Sequence, residues 1–248
     1  MNNSYQYSPQ RFNVLPPVCK NIIIINVIIF FAAWVLGSRG IINLEDYLGL
    51  HFYASPLHHV WQYITYSFMH ANISHILFNM FAFWMFGAVL ENIWGQKKFI
   101  IFCLVAALGA AIAQQITYYF MYHDLVAELA RITSSNVSFV KIDSEIISKS
   151  LYIEQTTSFI NHINTVGASG IVFGVLLAFG MMFPNTYIYF YFLIPIKAKW
   201  FVIGYMLIEL WNGVIGTADG VAHFAHLGGA LAGLILILIW NKGIKRHY

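Results

Sequence analysis

The chain has 248 residues, of which 59% are hydrophobic and only 9% charged, against about 25% charged in soluble globular domains. That balance excludes an ordinary soluble enzyme and leaves room for one bundle of membrane helices at about 20 residues per span, without a separate soluble domain. A formal charge of +3 with no basic run offers nothing to nucleic acid, and two cysteines outside any metal spacing, Cys19 and Cys103, indicate neither a disulfide framework nor a zinc site.

Residues 1–20 are polar, contain Pro9, Pro16 and Pro17, and read as a cytoplasmic segment. The apolar run from Ile22 to Leu36 ends in Gly37-Ser38-Arg39 with no small-residue cleavage pattern, so it is expected to be a retained span rather than a leader. Apolar runs place six spans at about 21–37, 75–92, 98–120, 169–183, 199–215 and 223–241. The expected fold is therefore all-α, a polytopic membrane domain over 21–241 followed by a cytoplasmic tail at 242–248. The short fourth and fifth spans point to a bundle interior, where irregular backbone can be shielded from lipid.

Basic residues near span ends set the orientation. Arg11 and Lys20, Lys97 and Lys98, Lys197 and Lys199, and Lys242, Lys245 and Arg246 fall on one side, against Arg39 on the other. Both termini are expected to be cytoplasmic, which puts His75, Ser169 and His226 toward the external face, most simply of the plasma membrane.

The connection 38–74 carries Trp61, Tyr63, Tyr66, Phe68 and several histidines. It fits either a segment lying at the headgroups or a folded external loop. The external insertion 121–164 holds Asp124, Glu128, Asp143, Glu145 and Glu154, with apolar residues at partly helical spacing that predict one or two short helices. Within it, Asn136-Val137-Ser138 fits a glycosylation sequon. Tyr187, Tyr189, Phe190, Tyr191 and Phe192, followed by Pro195 and two lysines, predict a cytoplasmic interfacial hairpin. Residues 212–222, with three glycines, form a loop able to move beside the candidate site.

That site is built around Gly167-Ala168-Ser169-Gly170, where a polar loop turns into an apolar helix. The first amides of a helix have no intrahelical partner and carry partial positive charge, which suits an oxyanion. Packing alone also explains small residues here, since Gly170, Gly174 and Ala178 form an i, i+4, i+8 stripe. Ala225, Gly229 and Gly233 form a matching stripe on the sixth span, and close approach of the two would bring Ser169 to His226. A serine hydroxyl becomes a nucleophile when a neutral histidine takes its proton. His75 and Asn79 share a face of the second span and, with the Ser169 amide, could bind the oxyanion. Asp219 lies in a loop and Glu209 on another helix, so a two-residue Ser/His site is the simpler expectation. His70 and His223 read as structural, and no carboxylate accompanies either histidine pair at a metal-binding spacing, so no metal or other cofactor is expected.

Gly167-Ala168-Ser169-Gly170, with His70 to Asn79 before it and Ala225-His226-Leu227-Gly228-Gly229 after it, resembles the rhomboid intramembrane serine proteases over about residues 20–241. The resemblance implies a six-helix core with a water-accessible cavity open to the outside, Ser169 as nucleophile and His226 as base. It assigns His75 and Asn79 to the oxyanion side, Gly229 and Gly233 to the contact between helices six and four, and Phe173 to a ring stacked near His226. Glu91 and Gly95 resemble positions closing the cytoplasmic end of helix two, and the fifth helix with the 212–222 loop resembles a gate. Where the family usually has Trp-Arg in the first external loop, this chain has Trp61-Gln62, which puts the stability of that loop in question.

The function this implies is cleavage of peptide bonds in or near transmembrane segments of substrate proteins within the bilayer. Segments with Gly, Ala, Ser or Pro, which unwind readily, are the expected substrates. Two other classes fit a polar site in a membrane bundle. A silent rhomboid-like client-binding protein would have lost Ser169 or His226, and both are present. A transporter would be expected to show an internal repeat and charges midway through its spans, and neither stands out.

Overall fold

The computed structural model describes residues 12–142, 145–190, 193–216 and 221–244. Arg11, Lys245 and Arg246 of the orientation pattern, Asp143 of the insertion, Tyr191 and Phe192 of the hairpin, and residues 217–220 of the glycine loop lie outside these.

Each of the six expected spans is a helix. They are α1 (Pro17–Ser38), α4 (Ile73–Trp94), α5 (Gln96–Ser134), α7 (Ser169–Met182), α8 (Ala198–Ile215) and α9 (His223–Ile244), with α2 (Leu44–Leu48), α3 (Gln62–Thr65) and α6 (Lys149–Asn161) as short helices between them. Among the described residues, α1, α4, α5 and α9 are long and apolar enough to cross a membrane by length and composition. At 14 residues, α7 is about 21 Å long, less than a hydrocarbon core of about 30 Å. It is nevertheless the centre of the bundle: α4, α5, α8 and α9 all pack on it, and most of its residues are buried. By contrast α1 lies outside, with only 11% of its apolar window buried.

Small residues fix the close contacts. A Cβ on Gly229 would lie 2.1 Å from the Gly170 carbonyl oxygen, and one on Gly174 would lie 3.1 Å from that of Gly229. The two stripes read from the sequence therefore face each other, backbone against backbone. A further seam, not anticipated, joins α5 to α9: a Cβ on Gly109 would meet Ala232, and one on Gly228 would meet Ala113. Gly95, at φ +77, is the single residue between α4 and α5. Glu91 accepts hydrogen bonds from the Val18 and Cys19 amides at 2.9 and 2.7 Å. It thereby satisfies the free N–H groups at the start of α1 and joins that peripheral helix to α4.

Two of the helices run further than expected. The third span does not stop near 120 but continues to Ser134 as one helix of 39 residues, about 58 Å long. Leaving the hydrocarbon ends the need for apolar side chains, not the helix: Glu128, Leu129, Ala130 and Arg131 are good helix formers. The insertion beyond it holds one helix, α6, preceded by a hairpin of β2 (Phe139–Ile142) and β3 (Glu145–Ser148). Likewise α9 extends past 241 to Ile244, while α8 ends at Ile215, where the fifth span was expected to end, and takes the first residues of the 212–222 stretch into its last turn. The hairpin before α8 is present, β5 (Tyr187–Phe190) pairing with β6 (Ile194–Lys197).

The connection 38–74 is a folded loop with buried residues of its own. Leu50, His51, Phe52, Gln62 and Tyr66 are fully or almost fully buried. β1 (Leu50–His51) pairs antiparallel with β4 (Asn164–Thr165), four residues before Ser169. Gln62 is 0% exposed and acts as the hub of this loop. Its side-chain oxygen accepts from the His51 and His59 amides at 3.3 and 3.1 Å, and its nitrogen donates to the Leu57 carbonyl at 2.8 Å. Trp61 donates its indole N–H to the Tyr47 carbonyl at 2.8 Å. The absence of arginine at position 62 thus leaves no gap: an uncharged amide fills a fully desolvated position, where a guanidinium would need a counter-charge.

Candidate active site

The loop entering α7 is fixed from both sides before it reaches Ser169. Phe52 donates its amide to the Ile163 carbonyl at 2.9 Å, and Tyr118 and Thr165 share a hydroxyl hydrogen bond. Gly167 donates its amide to the Tyr66 carbonyl at 2.9 Å, while the Tyr66 hydroxyl donates to the Ala107 carbonyl at 2.9 Å. Gly167 sits at φ +130, and a Cβ there would lie 2.7 Å from the His75 ring. Glycine is required at 167 twice over, for its backbone and for the space that His75 occupies. Ala168 then caps α7, and Ser169 is its first residue, half-buried, among amides with no helical acceptor.

Across the α7–α9 contact, the Ser169 hydroxyl lies 2.8 Å from His226 Nε2. Phe173, one turn on, stacks flat against the His226 ring, centroids 4.2 Å apart and 6° from parallel. On its other side Phe173 touches Tyr205 of α8. One helix turn from Tyr205 is Glu209, 5% exposed, whose Oε2 accepts from His226 Nδ1 at 2.8 Å. The same oxygen accepts from His223 Nδ1, also at 2.8 Å.

Glu209, set aside in the two-residue expectation as lying on another helix, is thus brought against His226. The neutral histidine that gives its Nδ1 proton to Glu209 keeps a lone pair on Nε2, facing the serine hydroxyl. A carboxylate buried this deeply is costly unless hydrogen-bonded, and two imidazole N–H groups supply that compensation. The same contact bears on two further expectations. His223, read as structural, is hydrogen-bonded into the cluster, and the His223/His226 pair, which has no carboxylate at a metal-binding spacing in sequence, receives one from another helix. Glu209 and His226 are far apart in sequence on different helices, so no spacing rule could pair them. The legible signal was Glu209 itself, an acidic residue in the middle of an otherwise apolar span.

His75, whose ring lies against Gly167, shares one face of α4 with Asn79, and the start of that helix is capped by the Asn72 side chain accepting from the His75 amide at 2.8 Å. The Asn79 side-chain nitrogen is buried without a hydrogen-bond partner among the described residues, a donor left available. His70 packs edge-on to His75 with ring centroids 5.0 Å apart. Burial, and then the neighbouring His75, push His70 down to about 3, against a backbone interaction with Phe68. It is a neutral, buried ring. Gly233, the last of the expected small positions, abuts Phe102 and Gly174, while Asp219 lies outside the described residues.

The described helices and the match of a family model agree on the class of protein. The rhomboid domain matches residues 57–242, which takes in α4 to α9 apart from the final residues, together with every residue of the cluster. Members of that family are generally serine proteases that act within membranes, and some are inactive.

Proposed function

The chain belongs to the rhomboid family, and from that premise we propose that it is an intramembrane serine endopeptidase, with Ser169 as nucleophile and His226 as general base. The observation that carries this reading is the 2.8 Å contact between the Ser169 hydroxyl and His226 Nε2. The stacked Phe173 ring and the Glu209 carboxylate give that contact a fixed geometry.

In the reaction, the Ser169 oxygen attacks the scissile carbonyl carbon as its proton passes to His226 Nε2. Glu209 holds the ring in the tautomer that leaves Nε2 free and offsets the positive charge as the imidazolium forms. The carbonyl oxygen, now negative, is met by the Ser169 amide at the helix start, the Asn79 amide and His75. Collapse breaks the C–N bond, the leaving amine takes the proton from Nε2, and water drawn by the same base releases the acyl group. Each oxyanion donor of this kind is typically worth about 10²–10³ in turnover.

Substrates are membrane proteins whose transmembrane segments unwind locally, presenting an extended peptide bond to the external side of the bundle. Both termini then face the cytoplasm, the plasma membrane is the natural location, and α8 with residues 212–222 stands on the route of entry. The test is cleavage of a reporter transmembrane segment by the purified chain in lipid, beside Ser169→Ala and His226→Ala variants whose melting shows them folded. Cleavage by the native chain alone supports the assignment. Cleavage at the native rate by either variant overturns it, and a native chain that binds reporters without cutting any of a panel places it with the silent members of the family.

A further inference from the structure

We propose that Glu209, His223 and His226 form a divalent-cation site, best suited to Zn²⁺, whose occupation switches the catalytic base off. The inference rests on the serine-protease reading for its consequence but not for its chemistry. The three side chains come from two helices, are all buried, and bring one ligand atom each to within 4.8 Å of one another. Two imidazoles and a carboxylate are a ligand set that zinc takes, leaving a fourth position for water.

The fit is close. Both Nδ1 atoms stand 2.8 Å from Glu209 Oε2, whereas atoms bound tetrahedrally at about 2.0–2.1 Å from zinc lie about 3.3 Å apart. Drawing the ligands round an ion therefore needs each Nδ1 to part from Oε2 by about half an ångström and all three ligand atoms, now within 4.8 Å of one another, to settle at about that common spacing. The ion would take the place of the two Nδ1 protons that now bridge the histidines to the carboxylate.

That replacement has a specific effect on His226. A neutral imidazole bound to metal through Nδ1 carries its remaining proton on Nε2. Nε2–H then donates to the Ser169 hydroxyl instead of accepting its proton, so the 2.8 Å contact persists while the base is lost. The same exchange joins α8 to the start of α9 more firmly than hydrogen bonds do. Zinc should thus inhibit and stabilise together, a combination that a non-specific inhibitor or a denaturing metal does not give.

The experiment uses the full chain in lipid, titrated with Zn²⁺, and reads metal binding by calorimetry, the melting midpoint, and reporter cleavage, with chelator added afterwards. Native chain is expected to bind one ion at this site, to melt higher and to lose cleavage reversibly. Ser169→Ala, which cuts nothing on the serine-protease reading, is expected to bind zinc and gain the same melting shift. His223→Gln and Glu209→Gln are each expected to weaken binding by tenfold or more and to lose the stabilisation. Two variants from different helices guard against one failing to fold. Undiminished affinity in both folded variants, or no saturable binding by native chain, overturns the proposal. Zinc binding lost in His223→Gln while native chain shows no proteolysis upholds the metal site and counts against the serine-protease reading instead.

Discussion

Two of the buried polar hubs among the described residues, Gln62 and Glu209, differ in kind. Gln62 sits in the loop between α1 and α4, fully buried, with backbone groups of its own loop as partners. Glu209 sits in α8, buried to a similar degree, and its partners are two ionisable rings on another helix. A neutral amide that both donates and accepts can tie a loop together without electrostatic cost. A carboxylate in the same position would accept only, and would have to find positive charge or N–H donors. The architecture therefore uses the amide where shape is needed and the carboxylate where a histidine must be held in one tautomer.

The comparison can be broken most severely where the two halves of the site are held together. Gly229→Leu places side-chain atoms where the Gly170 carbonyl lies, and overpacking of this kind costs about 1–3 kcal/mol or more. The expected outcome is a large fall in melting midpoint and loss of cleavage together, measured on the same preparation. Glu209→Gln should separate those readouts. Its turnover is expected to fall by about 10²-fold or more, with KM little changed and the fold intact by circular dichroism. An unaltered turnover would reduce Glu209 to a packing residue.

Gln62→Ala is the mirror image. It orphans the His51 and His59 amides, at about 1–3 kcal/mol for each buried group left unsatisfied. The melting midpoint is expected to drop while turnover per folded molecule stays within about twofold, since the loop lies outside the proton path. Smaller still is the acid-side effect of His70. Its folded value near 3 lies below the ordinary 6.5, so the unfolded chain binds the extra proton and stability declines as pH falls from 6.5 toward 3. His70→Leu should flatten that limb of a melting curve against pH. Smallest is the exposed Arg131–Glu128 pair at 2.6 Å, where Glu128→Gln is expected to leave the melting midpoint unmoved, because exposed ion pairs contribute little.

How far the sequence disclosed this follows from the range of the forces involved. The helices and their small-residue stripes were legible because hydropathy and i, i+4 spacing are local, and Gly170 does meet Gly229. The end of α5 was not, because leaving the membrane changes which side chains are tolerated without changing helix propensity. The Ser169–His226 contact could be reasoned from two matching stripes. Glu209 could not, since its partners depend on how α8 is rotated against α9, a tertiary property with no repeat in the sequence. Gln62 was misjudged for a related reason: its backbone partners at His51 and His59 exist only once the loop has folded.

The most direct test of the central claim is covalent labelling of the purified chain in lipid by a fluorophosphonate, with the modified residue located by mass spectrometry. The account predicts a single adduct on the Ser169 oxygen, abolished in His226→Ala and slowed in Glu209→Gln. An adduct on another serine, or labelling of Ser169 at the native rate without His226, would contradict it.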